Sequence, residues 1–225
     1  MLIVLRALWR LFFSYRPDAA AIGQKSGNAA NGDKGTNFEV ERKFRLKDDE
    51  LDTFRGRLAD MGFTLAQTIA MTDRFLPVKV EGEMLRVRDE TIGATTHTVL
   101  TIKEWVEIAG GKERRESESH LSRSARSFML SVGRLVRGKE LLQFSKVRKE
   151  HGSPSHPHVI ITIDEVEGLG ANSGHYAEIE VLVPQDGNVE AARSQIASLA
   201  RQVFNDEREP VKASYMDMLK LVSTL

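Results

Sequence analysis

Charged side chains recur at every second position in several short segments of this chain. In the first such segment Glu39, Glu41 and Lys43 alternate with Phe38 and Val40. A period of two places each set on one face of a β-strand. The chain must therefore build strands with one apolar face and one ionic face, and whatever satisfies the ionic face constrains the fold.

The same spacing returns along the chain and marks most of the predicted strands. The further pairs are Arg86 and Arg88, Thr101 and Lys103, Lys146 and Arg148, and Glu178 and Glu180. With the apolar runs between them, they predict eight strands at 38–45, 65–76, 84–90, 96–105, 112–120, 141–150, 159–166 and 176–183. Segment 151–157 is predicted to be a loop.

Helical spacing of apolar residues predicts four helices, at 51–61, 122–137, 189–204 and 213–222. In the second of them Phe128, Leu135 and Val136 are expected to point inward. Eight strands interrupted by a few helices indicate a mainly-β α+β fold, an antiparallel sheet or barrel with helices packed outside.

Composition excludes several classes of function. The 225 residues include 41 % hydrophobic residues, enough for a packed core, and 32 basic residues balance 32 acidic ones. Zero net charge argues against a broad nucleic-acid binder. The chain has no Cys, which excludes disulfides, thiolate nucleophiles and Cys-based zinc sites. A cytoplasmic location fits best.

The first 36 residues differ from the rest. Residues 1–16 are apolar and basic, and residues 19–36 are rich in Gly, Ala, Asn and Ser, as a flexible linker is. Three interpretations stay open: a membrane-surface or targeting helix, a start site placed too early, or a helix packed on the domain. We therefore divide the chain into this segment and a domain at 37–225.

A single Glu-x-Glu-x-Lys strand is ordinarily a solvated face, but the number of such strands here indicates a shared ionic cavity. Buried charges are costly unless each is paired or bound to an ion. A polyphosphate with Mg²⁺ or Mn²⁺ would satisfy both signs. The acidic set is Glu39, Glu41, Asp164, Glu178 and Glu180. The basic set is Lys43, Arg86, Arg88, Lys103, Arg114, Lys146 and Arg148.

These segments resemble, in order, the signatures of the CYTH superfamily, the triphosphate tunnel metalloenzymes. The family includes class IV adenylate cyclases, thiamine triphosphatases and inorganic triphosphatases. The matching segments are 39–43 (Glu-Val-Glu-Arg-Lys), 72–76 (Thr-Asp-Arg-Phe-Leu), 85–88 (Leu-Arg-Val-Arg), 100–103 (Leu-Thr-Ile-Lys), 114–118 (Arg-Arg-Glu-Ser-Glu), 146–148 (Lys-Val-Arg), 163–170 (Ile-Asp-Glu-Val-Glu-Gly-Leu-Gly), 177–180 (Ala-Glu-Ile-Glu) and 212–219 (Lys-Ala-Ser-Tyr-Met-Asp-Met-Leu).

The resemblance implies an eight-stranded antiparallel β-barrel that forms a tunnel, with the acidic set as ligands of one or two metal ions. It implies that the basic set binds the triphosphate, joined by Lys212, whereas Lys146 has the alternative of pairing with a carboxylate. Asp73 and Glu116 are expected to be structural partners of the bases, and Tyr215 a packing residue. Glu41, Asp164 and Lys43 are the residues expected to carry catalysis.

The reaction stays open at this stage. The expected substrate is a small triphosphate such as ATP, inorganic triphosphate or thiamine triphosphate, either hydrolysed or, for ATP, cyclised. Segment 164–170 and the closing Ser-Tyr-x-x-x-Leu resemble the class IV cyclase branch. A non-catalytic polyphosphate-binding or nucleotide-binding module and a structural barrel are the alternatives. Peripheral membrane contact through residues 1–16 and a homodimer also stay open.

Overall fold

The fold is known from a computed structural model that describes residues 38–78, 83–108, 111–184 and 187–223, with the side chains of 38–39, 104–108 and 111–116 left aside. All eight predicted strands are present. They are β1 (Phe38–Leu46), β2 (Thr64–Leu76), β3 (Met84–Ile92), β4 (Thr95–Ile108), β5 (Gly111–His120), β6 (Leu142–Ser153), β7 (His156–Glu167) and β8 (Gly174–Val183).

The four predicted helices are present as well. They are α1 (Leu51–Asp60), α2 (Arg123–Arg137), α3 (Val189–Phe204) and α4 (Tyr215–Ser223). The predicted loop at 151–157 is wrong, because β6 continues to Ser153 and β7 already begins at His156. Backbone pairing persists to Ser153 and His156 through a β-bulge, so the connection is a tight hairpin.

The strands form one antiparallel sheet in the order β1-β8-β7-β6-β2-β3-β4-β5. Strands β1 and β5 are its two ends, and no pairing joins them in the described part of the chain. The predicted mainly-β antiparallel architecture is therefore confirmed, whereas closure into a barrel stays a prediction.

The sheet has two chemically different faces. We call the side that carries Asp73, Arg88, Lys146, Asp164 and Glu178 the ionic face and the opposite side the helix face. Each of these five residues is followed or preceded, two positions away, by another side chain of the same face. The period-two pattern of the sequence therefore places the charged side chains of these strands on one face of the sheet and most of their apolar side chains on the other.

Helices α1 and α3 cover the helix face of β1, β8 and β7. Their apolar residues pack with Ile161, Ile179 and Phe44 of the sheet into one buried core. The Phe44 and Phe204 rings lie 5.0 Å apart, and Phe54 of α1 lies 5.1 Å from Phe204. This core fixes the strands whose opposite side carries the charges.

Helix α4 covers one end of the ionic face instead. Met218 and Leu219 of α4 are buried together with Phe75, Phe144 and Tyr176 of the sheet. One end of the ionic face is therefore apolar and filled, and the charged residues begin next to it.

Helix α2 is oriented differently from the prediction. Phe128 is 45 % exposed and Leu135 is 82 % exposed, Val136 is half-buried, and the buried residues are Leu130 and Gly133. The inward placement of Phe128 and Leu135 is therefore wrong, for a reason given below. Among the described residues, no helix has the length and apolar character needed to cross a membrane.

Candidate functional site

Asp164 on β7 is the centre of the most buried charged cluster. Its carboxylate is fully buried and accepts a hydrogen bond from Lys146 Nζ at 2.7 Å. Arg148 donates to it through Nε at 2.7 Å and through a terminal nitrogen at 2.8 Å. The Tyr215 hydroxyl donates to Oδ2 at 3.2 Å, and Arg148 also donates to Glu178. Strand register produces this cluster, since Arg148 lies opposite Asp164 in the β6–β7 pair.

These neighbours determine the charge states of the cluster. Burial alone would raise the pKa of Asp164, but Lys146 and Arg148 hold it well below its usual range. Burial and the adjacent Arg148 lower the pKa of Lys146 to about 8, against the opposing effect of Asp164. Burial, with Glu178 and Asp164, raises the pKa of Tyr215 well above its usual value. Tyr215 therefore stays a hydrogen-bond donor at neutral pH.

Asp73 on β2 is the centre of a second cluster. Arg88 of the neighbouring β3 binds it in bidentate fashion, through Nε at 2.6 Å and a terminal nitrogen at 2.9 Å. Arg86 lies 3.6 Å from the same carboxylate. Burial raises the pKa of Asp73, but Arg88 and Arg86 outweigh it and hold the value at about 2. The expected role of Asp73 as a structural partner of the bases is confirmed.

The second cluster continues onto β4 and β5 through Arg86. Its guanidinium donates to the Thr101 hydroxyl at 3.0 Å and lies 3.7 Å from Glu118. Thr101 in turn donates to Glu118 at 3.1 Å. Lys103 follows Thr101 by two positions on the same face and is half-buried.

Lys43 on β1 lies beside both the first cluster and the C-terminal segment. Its Nζ donates to the Ala213 carbonyl at 2.7 Å and lies 4.0 Å from the centre of the Tyr215 ring. Burial lowers its pKa, against the attraction of Glu178, Glu41 and other carboxylates. A cation on an aromatic face is stabilised electrostatically, so Tyr215 holds Lys43 as well as Asp164.

Carboxylates gather where β1 meets β8. Glu41 and Glu180 are directly opposite in the strand register, and Glu178 is opposite Lys43. The donor set is purely oxygen, which suits Mg²⁺ or Mn²⁺, and a cation between Glu41 and Glu180 would offset their repulsion. In the part of the chain whose side chains are described, however, no three acidic or imidazole groups lie close enough to hold a metal.

The remaining predicted residues divide into three groups. Lys212 is exposed, in the segment that leads into α4. Glu39 and Arg114 have side chains outside the described residues, so their roles stay predictions. Asp164 is placed at the site, but its oxygens are already occupied by Lys146, Arg148 and Tyr215, and its role as a metal ligand stays a prediction.

Sequence reasoning missed the contribution of Tyr215. We expected a packing residue, yet its ring contacts Phe144 and Tyr176, its face holds Lys43, and its hydroxyl reaches Asp164. The local sequence around Tyr215 does not indicate these contacts, because Lys43 and Asp164 lie far away in sequence.

The comparisons with known proteins agree with this fold. The model of the CYTH domain matches residues 37–215. The PH1819 protein of Pyrococcus horikoshii is 25 % identical, with a TM-score of 0.64 over 82 % of this chain and 99 % of that one. Among curated proteins, no match to the sequence was found.

Two further solved structures share the fold at lower identity. A candidate adenylate cyclase from Vibrio parahaemolyticus is 22 % identical, with a TM-score of 0.59 over 81 % of this chain and 98 % of that one. HpAC1 from Hippeastrum, which has a dominant triphosphatase activity, is 18 % identical, with a TM-score of 0.53 over 82 % of this chain and 96 % of that one.

Proposed function

Because the chain belongs to the CYTH domain family, we propose that it is a metal-dependent triphosphatase. The substrate would lie against the ionic face, and water would attack one of its phosphoryl groups. The observation that carries this proposal is the pair of clusters in which buried Asp73 and Asp164 hold arginine and lysine side chains in fixed positions.

The fixed bases are suited to a polyanion. Arg86 and Arg88 approach from one side and Lys146 and Arg148 from the other, while Lys43 lies at the edge of the second pair. Arginine and lysine donors make strong charge-assisted hydrogen bonds to phosphate oxygens. Because the aspartates already fix their rotamers, binding costs these side chains little further entropy.

The carboxylates of β1 and β8 are the residues that would hold a divalent metal. Glu41 and Glu180 supply oxygen donors from opposite strands, and Glu39 and Glu178 lie two residues away from them on β1 and β8. The metal, when bound, would supply charge neutralisation and activation of water. The basic side chains of the protein would orient the phosphates, and Asp164 would hold Lys146 and Arg148 in place.

The packing of aromatic side chains at the apolar end of the ionic face favours hydrolysis over cyclisation of ATP. Phe75, Phe144 and Tyr176 of the sheet pack against one another and against Tyr215, Met218 and Leu219 of α4. Within the described residues, these rings are used for packing and do not form an open surface on which an adenine could stack. The triphosphate is thus the part of the substrate with matched groups, and HpAC1 shares this fold.

The proposal is tested by product analysis. The purified chain is incubated with Mg²⁺ or Mn²⁺ and, separately, with tripolyphosphate, ATP and thiamine triphosphate, and phosphate, pyrophosphate and cyclic AMP are measured. We expect phosphate from tripolyphosphate and loss of turnover on chelation. Cyclic AMP with pyrophosphate from ATP would show a cyclase instead, and binding without turnover of any substrate would show a non-catalytic module.

A matched pair of variants tests the metal assignment. Glu41→Gln removes a charge from the ionic face, whereas Glu165→Gln removes one from an exposed position on the helix face. We expect turnover to fall roughly a hundredfold or more for Glu41→Gln and to stay unchanged for Glu165→Gln. Equal turnover in both variants would refute a metal at Glu41.

A further inference from the structure

Thr162 of β7 has a buried hydroxyl without a hydrogen-bond partner in the part of the chain that the structure describes. The residue is 1 % exposed, and its Oγ1 neither donates to nor accepts from any described group. A hydroxyl taken out of water without a partner destabilises the folded state, and native proteins keep few of them. The position of Thr162 in the sheet indicates which group completes this hydroxyl.

Strand register places the hydroxyl beside two carboxylates. Thr162 is two residues from Asp164 and therefore lies on the ionic face. It is directly opposite Glu150 in the β6–β7 pair and directly opposite Glu178 in the β7–β8 pair. The Cβ atoms of directly opposite residues lie about 4.5–5.5 Å apart, so both carboxylates are within reach of the hydroxyl.

Both of these carboxylates are bound by other side chains. Gln67 donates to Glu150 at 2.6 Å, and Arg148 donates to Glu178. Arg148 also binds Asp164 through two hydrogen bonds, at 2.7 Å and 2.8 Å, so it keeps a counter-ion if Glu178 turns away. Glu178 is therefore the neighbour that can change its partner at little cost.

Thr101 of β4 shows how the fold satisfies a buried hydroxyl on the same face. Thr101 is fully buried, accepts a hydrogen bond from Arg86 at 3.0 Å and donates one to Glu118 at 3.1 Å. Thr162 is as deeply buried on the same face but makes neither kind of bond. This difference indicates that the hydroxyl of Thr162 acts in a state of the site in which a neighbouring carboxylate has turned.

We propose that Thr162 is a positioning residue for the divalent metal: its hydroxyl donates to Glu178 when that carboxylate turns from Arg148 to a bound cation. The inference rests on the proposed metal-dependent function, in which Glu178 lies near Glu41 and Glu180. A carboxylate that binds a metal is itself held by hydrogen bonds, and loss of such a partner weakens metal affinity about 10–100-fold. The hydroxyl is suited to this role because it donates a hydrogen bond without adding a charge to the cluster.

The affinity of the full chain for Mn²⁺, measured by isothermal titration calorimetry, tests the proposal. Thr162→Val keeps a β-branched side chain but removes the hydroxyl, whereas Thr162→Ser keeps the hydroxyl. We expect Thr162→Val to weaken Mn²⁺ binding by about tenfold or more and Thr162→Ser to bind like the wild type. Thr68→Val, at an exposed position on the helix face of β2, is the control and should leave the affinity unchanged.

The two carboxylates opposite Thr162 allow its partner to be identified. In a Glu150→Gln background, Thr162→Val should keep its full effect on Mn²⁺ affinity. In a Glu178→Gln background, Thr162→Val should have no further effect, because the hydroxyl acts through Glu178. A full effect of Thr162→Val in both backgrounds would overturn the assignment of Glu178 as the partner.

Thermal unfolding in the presence of EDTA separates this role from a purely structural one. Without metal, Thr162→Val should unfold at the wild-type temperature or up to about 2–4 °C above it, because it removes a buried hydroxyl that has no partner. Thr101→Val removes a hydroxyl that is bonded on both sides and should unfold at a lower temperature. An equal fall for Thr162→Val would overturn the proposal, since its hydroxyl would already be bonded.

The wild type distinguishes failure of this inference from failure of the proposed function. If the wild type binds Mn²⁺ and Thr162→Val binds it equally well, the role of Thr162 is overturned and the metal dependence stands. If the wild type does not bind Mn²⁺, the proposed metal dependence is overturned together with the role of Thr162.

Discussion

The two aspartate-centred clusters of the ionic face use the same arrangement. Asp164 of β7 holds Lys146 and Arg148 of β6, and Asp73 of β2 holds Arg88 of β3 by the same kind of bidentate contact. In each case two bases spaced by two residues share one buried carboxylate on a paired strand. The sheet thus carries two similar basic half-sites on one face.

The clusters differ in what surrounds them. Asp164 also receives the Tyr215 hydroxyl from α4, so the C-terminal segment seals it. The Asp73 cluster extends through Arg86 to Glu118, whose side chain is 46 % exposed. The first half-site is therefore closed by Tyr215, whereas the second ends at a partly exposed carboxylate. Losing the buried aspartate should therefore cost more in the first.

The largest effect is expected for Asp164→Asn. Removing this charge takes from the buried Lys146 its hydrogen-bonded counter-ion and from Arg148 one of the two carboxylates that it binds. This should lower the free energy of unfolding by about 3–5 kcal/mol. Urea-induced unfolding of the purified variant measures this. Asp52→Asn, at an exposed position on α1, is the control and should unfold like the wild type.

The opposite result at Asp164 would change its role. If Asp164→Asn kept wild-type stability but lost metal affinity in a calorimetric titration, Asp164 would be a metal ligand and not an anchor of the bases. The two half-sites would then have different purposes despite their similar contacts.

A smaller effect is expected for Asp73→Asn, about 2 kcal/mol of unfolding free energy. Arg86 and Arg88 each keep a second carboxylate nearby, Glu118 and Glu90, both at 3.7 Å. Glu118→Gln, at the outer end of the same cluster, should cost about 1 kcal/mol or less. A cost for Asp73→Asn as large as that for Asp164→Asn would remove the distinction between a sealed and an open half-site.

The contribution of Asp73 to the free energy of unfolding should decrease at low pH. Its pKa in the folded chain, about 2, is lower than the ordinary value of 3.8. A carboxyl with a depressed pKa stabilises the folded state above its ordinary pKa and loses that stabilisation as the pH falls through the folded value. The stability difference between wild type and Asp73→Asn should therefore be constant near neutrality and shrink between pH 4 and 2.

The smallest effect is expected for Tyr215→Phe. This change removes one hydrogen bond to Asp164 but keeps the ring beneath Lys43, so it should cost about 1 kcal/mol. Tyr215→Leu would also remove the cation–π contact and should cost more. If both variants unfolded thermally at the same temperature as the wild type, neither the hydroxyl nor the ring of Tyr215 would contribute to closing the first half-site.

The sequence predicted most of the fold because its charges alternate strictly. Residues two apart, such as Lys146 and Arg148, had to share a face, and the pairing of Lys146 with a carboxylate was one of the expected alternatives. Local spacing was therefore enough to find the strands and the residues of the ionic face. It was not enough to predict whether β1 and β5 meet.

The orientation of α2 and the role of Tyr215 escaped prediction for one physical reason. Both depend on single contacts between residues distant in sequence, Arg126 with Asp89 and Tyr215 with Asp164. Helical periodicity identifies an apolar side but not which surface will cover it. In α2 the partly buried ion pair of Arg126 with Asp89 outweighed that periodicity, whereas α3 buried its apolar side as expected.

Binding of tripolyphosphate, measured by isothermal titration calorimetry, tests the central claim most directly. Lys43 and Arg42 are neighbours on β1, but Lys43 lies on the ionic face and Arg42 is exposed on the other. We predict that Lys43→Gln weakens binding by about tenfold or more, as loss of a charge-assisted hydrogen bond should, and that Arg42→Gln leaves it unchanged. Equal affinities of the two variants, or no binding by the wild type, would contradict a triphosphate site on the ionic face.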